Sequence, residues 1–466
     1  MAAPSYHMSP EDFRRNGHAI IDWLADYLAG VEQRRINPEV APGDIRAMLP
    51  AKAPETPEPF QAILTDLDEI VMPGVVHWQS PGWFGYFPAN GSGPGILGDL
   101  VSTGLGQQGM LWATGPACTE IETVVLDWLV DLLGVPAAWR TDGPGGGVIQ
   151  MSASDSTHTA LVVARHRASA AADPADLVAY TSAQAHWSVE KGARVAGYRH
   201  LRLIDVDGSY GMDPAALEAA VDADIAAGLI PAFVCSTVGT TATTAVDPVR
   251  EVGEVGRRHA MWHHVDAAYA GTAMICPELR HHQDGLELVD SYTFNPHKWM
   301  FTNFDCSVFW VADRRPLLDA LSMAPAFLRP GAADTVEVID YRNWHVPLGR
   351  RFRALKLWFV LRSYGATGIR HHVRQHLEMA QWLTAQVEAD QRLELVAPTP
   401  FGLVSFRHGS GDTATDAIAA AINGSGRFHV TSSRIDESSF VRVAIGQTTT
   451  EQRHVEALWD LVDQSA

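Results

Sequence analysis

Cysteine is scarce in this chain: its 466 residues hold four, at positions 118, 235, 276 and 306, and no two of them form a CxxC pair. So few, so scattered, exclude a disulfide framework and point to a reducing compartment, which we take to be the cytoplasm. Positive charge is also short, with 35 Lys and Arg against 54 Asp and Glu and a formal net charge of −19. No Lys/Arg run goes beyond pairs and triplets, which argues against nucleic acid and anionic membranes as partners. Long apolar runs are missing too. None reaches transmembrane length, and the opening Met-Ala-Ala-Pro-Ser-Tyr-His-Met lacks the basic and apolar regions of a secretion signal. No HExxH or similar zinc spacing occurs, so no metal is expected. The run Gly143-Pro144-Gly145-Gly146-Gly147 is neither a complete dinucleotide fingerprint nor a P-loop, since no Gly-Lys-Ser/Thr follows. A nucleotide-binding oxidoreductase is thereby excluded.

The length fits one large domain with one or two smaller ones. Ser9-Pro10-Glu11-Asp12 is a helix start: a capping serine, proline at the first helical position and an acidic first turn. Phe13, Ile20, Leu24, Tyr27, Leu28 and Val31 then recur at helical spacing. This stripe precedes the Pro-rich stretch Pro50 to Pro59, and covering a partner subunit is an alternative to ordinary core packing. From about 86 to 360, helices alternate with short apolar strands such as Leu177 to Tyr180, Leu201 to Ile204 and Ala232 to Cys235, the signature of an α/β domain with a mostly parallel sheet. Beyond that, a helix over His371 to Ala389 precedes strands at Leu393 to Val396, Leu403 to Arg407, Phe428 to Thr431 and Phe440 to Ile445. A closing helix over Thr450 to Val462 completes a small α+β domain. The expected division is 1–85, 86–360 and 361–466.

Chemistry concentrates in two segments about thirty residues apart, His264-Val265-Asp266-Ala267-Ala268-Tyr269 and Asn295-Pro296-His297-Lys298-Trp299. Met261 and Trp262 precede the first, Val265 lies within it and Phe294 precedes the second, reading as strands of a buried parallel sheet with polar residues at their ends. Ligands of such sheets sit outside the carboxyl ends of the strands. A lysine amine and a carboxylate there match a pyridoxal phosphate site. The lysine forms a Schiff base with the cofactor aldehyde, and the aspartate pairs with the pyridinium nitrogen. A phosphate cup is available where Ser152-Ala153-Ser154 opens a helix, through backbone amides and small hydroxyls. His186 follows another strand, where its flat imidazole suits stacking on the cofactor ring, and Thr240 and Thr241 follow a further one.

With these residues in place the chain resembles the aromatic-L-amino-acid decarboxylase family, the group II pyridoxal phosphate-dependent decarboxylases of fold type I. The resemblance runs nearly end to end. It rests on Glu11-Asp12-Phe13-Arg14-Arg15, His77-Trp78, Tyr86-Phe87-Pro88, Pro116-Ala117-Cys118-Thr119-Glu120, the sites above, and Pro347-Leu348-Gly349-Arg350-Arg351-Phe352. It implies an α/β large domain with a mostly parallel seven-stranded sheet, an amino-terminal helical segment and a small carboxy-terminal α+β domain. By the same resemblance Lys298 carries the cofactor, Asp266 contacts the pyridinium, and Ala268 and His186 bound the two ring faces. Ala153, Ser154 and Asn295 hold the phosphate. Thr241 and His186 stand near the substrate carboxylate, and His297 is a candidate acid. Trp78, Tyr86, Pro88, Ala89 and Gly349 fall on the substrate side, and Trp78, Phe84, Tyr86, Phe87 and Trp112 are aromatic candidates for lining an apolar pocket. The family also implies an obligate homodimer whose amino-terminal helices pack across the two subunits, and carboxy-lyase activity on tryptophan, phenylalanine, tyrosine or dopa.

Two positions depart from the family. Ala89 stands where the animal enzymes carry threonine, removing a substrate-side hydroxyl. Within Met323 to Val338, a segment rich in Pro, Gly and small residues that reads as a loop closing over the site, Phe327 aligns with a tyrosine that delivers a proton after decarboxylation. Phenylalanine has no proton to give. In plant members phenylalanine there accompanies aldehyde synthesis, with ammonia and peroxide as co-products, so an aldehyde synthase stands beside the amine-forming reading. Gly349 matches a position where a small residue leaves room for rings such as indole. An aminotransferase would share Lys298 and Asp266 but needs an arginine for a second carboxylate; a cofactor-free scaffold has no use for Lys298, Asp266 and His186 together.

Overall fold

Short runs of β-branched and aromatic residues build the main sheet. Its strands are β1 (Gly146–Gln150), β2 (Leu177–Ser182), β3 (His200–Ile204), β4 (Ile230–Thr237), β5 (Trp262–Asp266), β6 (Ser291–Phe294) and β7 (Ser307–Val311). The computed structural model describes residues 6–89, 91–322 and 338–466. The strand order is β1-β7-β6-β5-β4-β2-β3, and β7 alone runs against its neighbours. The seven strands and their mostly parallel run are those expected. Both faces of the sheet are covered, which is why its inner strands carry apolar side chains at successive positions. Val148 packs with Leu161 of the helix Ala153–Ala168 on one face, while its neighbour Ile149 joins Val125 and Leu126 of the helix Pro116–Leu133 on the other.

A second, antiparallel sheet contains β8 (Leu393–Leu395), β9 (Leu403–His408), β10 (Thr431–Ile435) and β11 (Ser438–Ala444), ordered β10-β11-β9-β8. The strand expected at Phe428 to Thr431 is displaced to Thr431–Ile435. Phe428 and Val430 are buried, but the backbone between them is taken by the Gly82–Phe84 segment. The His429 N–H donates to the Gly82 carbonyl at 3.1 Å, and the Phe84 N–H donates to the His429 carbonyl at 2.8 Å. The turn into β11 uses Asp436 and Glu437, both with positive φ (48° and 66°), without the Asn-Gly or Asp-Gly pair that advertises such a hairpin. The helix expected over His371 to Ala389 begins earlier, at Arg353, and is broken at Gly365, whose φ of 61° and ψ of 170° leave the helical region. Position 360 thus lies inside a helix, and the closing helix spans Gln452–Ser465.

The amino-terminal helix, Pro10–Gly30, starts where the sequence signals it, with the Asp12 N–H donating to the Ser9 hydroxyl oxygen at 3.1 Å. None of its residues is buried, and Phe13 of the apolar stripe is 67% exposed. Among the described residues no helix is long and apolar enough to cross a membrane.

Deep in the large domain one charge pair ties three elements together. An Arg350 nitrogen lies 2.6 Å from Glu122 Oε1 with both side chains almost fully buried. The same guanidinium donates to the carbonyls of Gly109 and Ile149, and the Ile149 N–H donates to Glu122 Oε1 at 2.7 Å. The core also holds five buried histidines, 263, 264, 297, 345 and 376, each pushed down to about 3 by burial and hence neutral. Arg350→Leu would strand the Glu122 carboxylate without its counter-charge, at an expected cost of about 3–5 kcal/mol. Denaturant unfolding of the two proteins side by side measures it, and a loss below about 1 kcal/mol would show that the pair carries no such weight.

Candidate active site

Where the parallel strands end at their carboxyl edge, their last residues and the turns that follow enclose a cavity of about 210 Å³. β5 ends on Asp266, 4% exposed, whose Oδ1 accepts the Ala268 N–H at 2.9 Å. Past β6 the chain turns at Asn295 into a single helical turn, Pro296–Trp299, which presents Lys298 to the same cavity. β1 leads to Ser152, whose hydroxyl oxygen accepts the Asp155 N–H and caps the helix Ala153–Ala168, so the first amides of that helix face the cavity beside Ser154. Past β2 comes His186. Thr241 enters from the turn after β4, which passes through Gly239 at a φ of +86°; a Cβ there would stand 2.7 Å from the Ala270 Cβ, so glycine is required.

Electrostatics separate the roles of these groups. Burial pushes the Lys298 ammonium below its ordinary range; the Asp266 carboxylate opposes that shift and the Arg442 guanidinium adds to it. The result is an amine more readily neutral, and so more nucleophilic, than a surface lysine. Its Nζ lies 5.2 Å from the centroid of the Phe87 ring, which stacks on Tyr269 at 3.8 Å; Tyr269 in turn stacks on Trp299 at 4.8 Å. The Trp299 Nε1–H donates to His376 Nδ1 at 2.9 Å, which anchors the residue next to Lys298. His186 is also lowered, chiefly by burial. The Ser188 N–H donates to His186 Nδ1 at 3.3 Å, so in the neutral ring the proton sits on Nε2.

The expected cofactor residues meet here: Ala153, Ser154, Thr241, Asp266, Ala268, Asn295 and Lys298 all line the cavity, with His186 and His297 beside them. His297 Nδ1 accepts the Cys306 N–H at 2.9 Å, which leaves the proton of the neutral ring on Nε2, and burial first, then the Lys298 charge, pushes its pKa down to about 3. On the substrate side Trp78, Tyr86, Pro88, Ala89 and Gly349 do not line this cavity. Trp78 stacks with Tyr86 at 5.5 Å, Tyr86 turns with a positive φ of 54°, and Gly349 borders a separate depression with Gln108 and Arg350. Of the aromatic candidates Phe87 lines the cavity, whereas Phe84 packs in the small-domain core and Trp112 donates from Nε1 to Glu120. Phe327 lies outside the described residues.

Sequence reasoning passed over Thr237, Ser188 and Tyr269, which also line the site. Thr237 closes β4 as Asp266 closes β5, and that shared position was the available signal. Three buried polar atoms of these lining residues, Asn295 Oδ1, Thr237 Oγ1 and the Tyr269 hydroxyl oxygen, have no hydrogen-bond partner. A desolvated amine, an unengaged carboxylate oxygen, a helix amino end and orphaned polar atoms suit a phosphorylated aldehyde with a basic ring.

Comparison with known proteins decides the matter. Residues 42–409 match the pyridoxal-dependent decarboxylase conserved domain. The chain belongs to the pyridoxal-dependent decarboxylase family. It is 43% identical to the aromatic-L-amino-acid decarboxylase of Bos taurus, over 98% of this chain and 97% of that protein. Its fold superposes on Catharanthus roseus tryptophan decarboxylase in complex with L-tryptophan with a TM-score of 0.96, at 38% identity and 99% coverage of both chains. It also superposes on Rhodiola rosea 4-hydroxyphenylacetaldehyde synthase with a TM-score of 0.93, at 36% identity and 98% coverage of both. This decarboxylase-family member is therefore a pyridoxal-dependent enzyme, and its cavity fits that cofactor.

The lowered Lys298 amine has a measurable consequence. Neutral amine persists to lower pH than on a free lysine, so the rate at which cofactor-stripped protein captures pyridoxal phosphate should fall off at a lower pH than for a lysine peptide. Stopped-flow absorbance across pH 6 to 10 reads both midpoints, and coincident midpoints would show that burial does not activate Lys298. Perturbed and ordinary lysines together titrate over roughly this span of pH.

Proposed function

We propose that this enzyme removes the α-carboxylate of an aromatic L-amino acid as carbon dioxide and releases the arylalkylamine. The observation that carries the reading is the meeting of a desolvated Lys298 amine, the Asp266 carboxylate and the His186 imidazole in one cavity, in a chain whose relatives are named for aromatic amino acids. Bound pyridoxal phosphate supplies a protonated ring that accepts the electron pair left on Cα when the carboxylate departs. Lys298, in its neutral form, holds the cofactor aldehyde. Asp266 keeps the ring nitrogen protonated, and Ala153, Ser154 and Asn295 hold the phosphate. Ala268 and His186 bound the ring faces, with Thr241 and His186 beside the substrate carboxylate. The Phe87 and Tyr269 rings, stacked 3.8 Å apart, leave no room for water between them, so a carboxylate brought against this wall is less well solvated than in bulk.

By resemblance Gly349 stands at a family position where a small residue leaves room for indole, and a similar structure is that of a tryptophan decarboxylase with L-tryptophan, so tryptophan heads the substrate list, with phenylalanine, tyrosine and dopa behind it. Phe327 favours a second reading, in which the amino acid, molecular oxygen and water give the aryl acetaldehyde with carbon dioxide, ammonia and hydrogen peroxide. Likeness to an acetaldehyde synthase supports keeping it. Cofactor-loaded enzyme incubated in air with the four amino acids separates the two, with amine, aldehyde and peroxide quantified together. Amine without matching peroxide is the expected result; aldehyde with equimolar peroxide would replace it, and Phe327→Tyr should then restore amine.

The working unit in this reading is a homodimer. Its support is the uncovered apolar stripe of the helix Pro10–Gly30, together with Leu97, Leu100 and Leu105, exposed on the helix Gly93–Leu105. Sedimentation equilibrium should return twice the chain mass of 50.7 kDa. A single-chain mass would overturn it. Four buried, unpaired cysteines support a reducing compartment such as the cytoplasm.

A further inference from the structure

Thr237 is the last residue of β4, 4% exposed, and lines the cavity with a hydroxyl that no protein atom meets. In the parallel ladder it pairs with Asp266, so the two side chains share one face of the sheet. Its backbone is fixed by a carboxylate that the roles assigned above leave unused. The Thr237 N–H donates to Asp247 Oδ2 at 2.7 Å, and the Asp247 N–H donates back to the Thr237 carbonyl at 2.9 Å. The other oxygen, Oδ1, accepts the Met212 N–H at 2.7 Å. Asp247 is fully buried, and both its oxygens are committed to backbone amides. A β-branched side chain on a backbone held in this way has little freedom at χ1. Its hydroxyl is therefore aimed, and an aimed, buried, unpartnered hydroxyl is costly to keep unless a ligand completes it.

We propose that Thr237 is a cofactor-contacting residue at the Asp266 end of the cavity, and that Asp247 is the positioning residue that aims it. The inference rests on the family's pyridoxal dependence and adds two residues to the site. Thr237→Val keeps the shape and removes the hydroxyl. Titration of the cofactor-stripped full-length protein with pyridoxal phosphate, followed by tryptophan fluorescence, should show affinity weakened about tenfold, the worth of one hydrogen bond left unmade in a buried site. Thr237→Ser, which keeps the hydroxyl, should stay within about threefold of the parent on the same reasoning. Asp247→Asn offers one acceptor and one donor where two acceptors are needed. It should weaken binding as Thr237→Val does, and the double variant should bind no more weakly than the weaker single one.

Thermal melts set this role apart from a structural one. Without cofactor, Thr237→Val should melt at or above the parent, because it removes an unsatisfied buried group; with cofactor, its gain in melting temperature should be smaller. Parental affinity in Thr237→Val, or a lowered melt of the stripped variant with an unchanged cofactor-dependent gain, would overturn the proposal. A parent protein that takes up no pyridoxal phosphate would overturn the family-level reading along with it.

Discussion

The site depends on one hydrogen-bonded ladder, the parallel register that runs from β4 through β5 to β6. Thr237 pairs with Asp266, and Asp266 pairs with Thr293, two residues before Asn295. Because adjacent parallel strands stop at the same edge, three chemically unlike groups arrive side by side without any one loop having to place them. A slip of one residue in β5 would turn Asp266 to the other face of the sheet and leave Lys298 with no carboxylate to oppose its loss of charge. The covered faces make such a slip expensive, since every buried side chain of the strand would move with it.

Behind that ladder a second layer holds Lys298 in place. Phe87, Tyr269 and Trp299 form a continuous stack, and Trp299 is fastened to His376 on the long helix Arg353–Ala389. The helical turn bearing Lys298 is thus braced by aromatic contact on one side and by a hydrogen bond from the carboxy-terminal part of the chain on the other. Arg442 of β11 reinforces the connection. It donates to the carbonyls of Ala242 and Tyr86 and to the Thr431 hydroxyl, and its guanidinium lies 5.3 Å from the Phe87 ring centroid.

How much of this was legible in the sequence follows from the kind of interaction involved. Asp266 and Lys298 stand out because a charged residue directly after an apolar run has few structural explanations. Thr237 occupies the same kind of position and was missed, because threonine is also a good strand former and its hydroxyl carries no charge to draw notice. The hairpin at Asp436 and Glu437 lacked turn chemistry that a reader of sequence would recognise. The place of Phe428 to Val430 was set by pairing with a segment some 350 positions away, which local periodicity does not encode. Trp78 and Gly349 were assigned by analogy, and one chain does not bring them to the cavity.

The buried histidines bear on a property unrelated to catalysis. Each is neutral in the fold at a pH where an unfolded chain would bind a proton, with folded values near 3 against ordinary values near 6.5. Above about pH 6.5 neither state is protonated at these positions and the fold keeps its full margin. As the medium acidifies from there toward 3, denaturation draws in protons that the native state refuses, and each uptake favours the open chain. Five such groups acting together make acid tolerance a collective property of the core, so the imidazoles that fill its interior also set the acid limit of the fold.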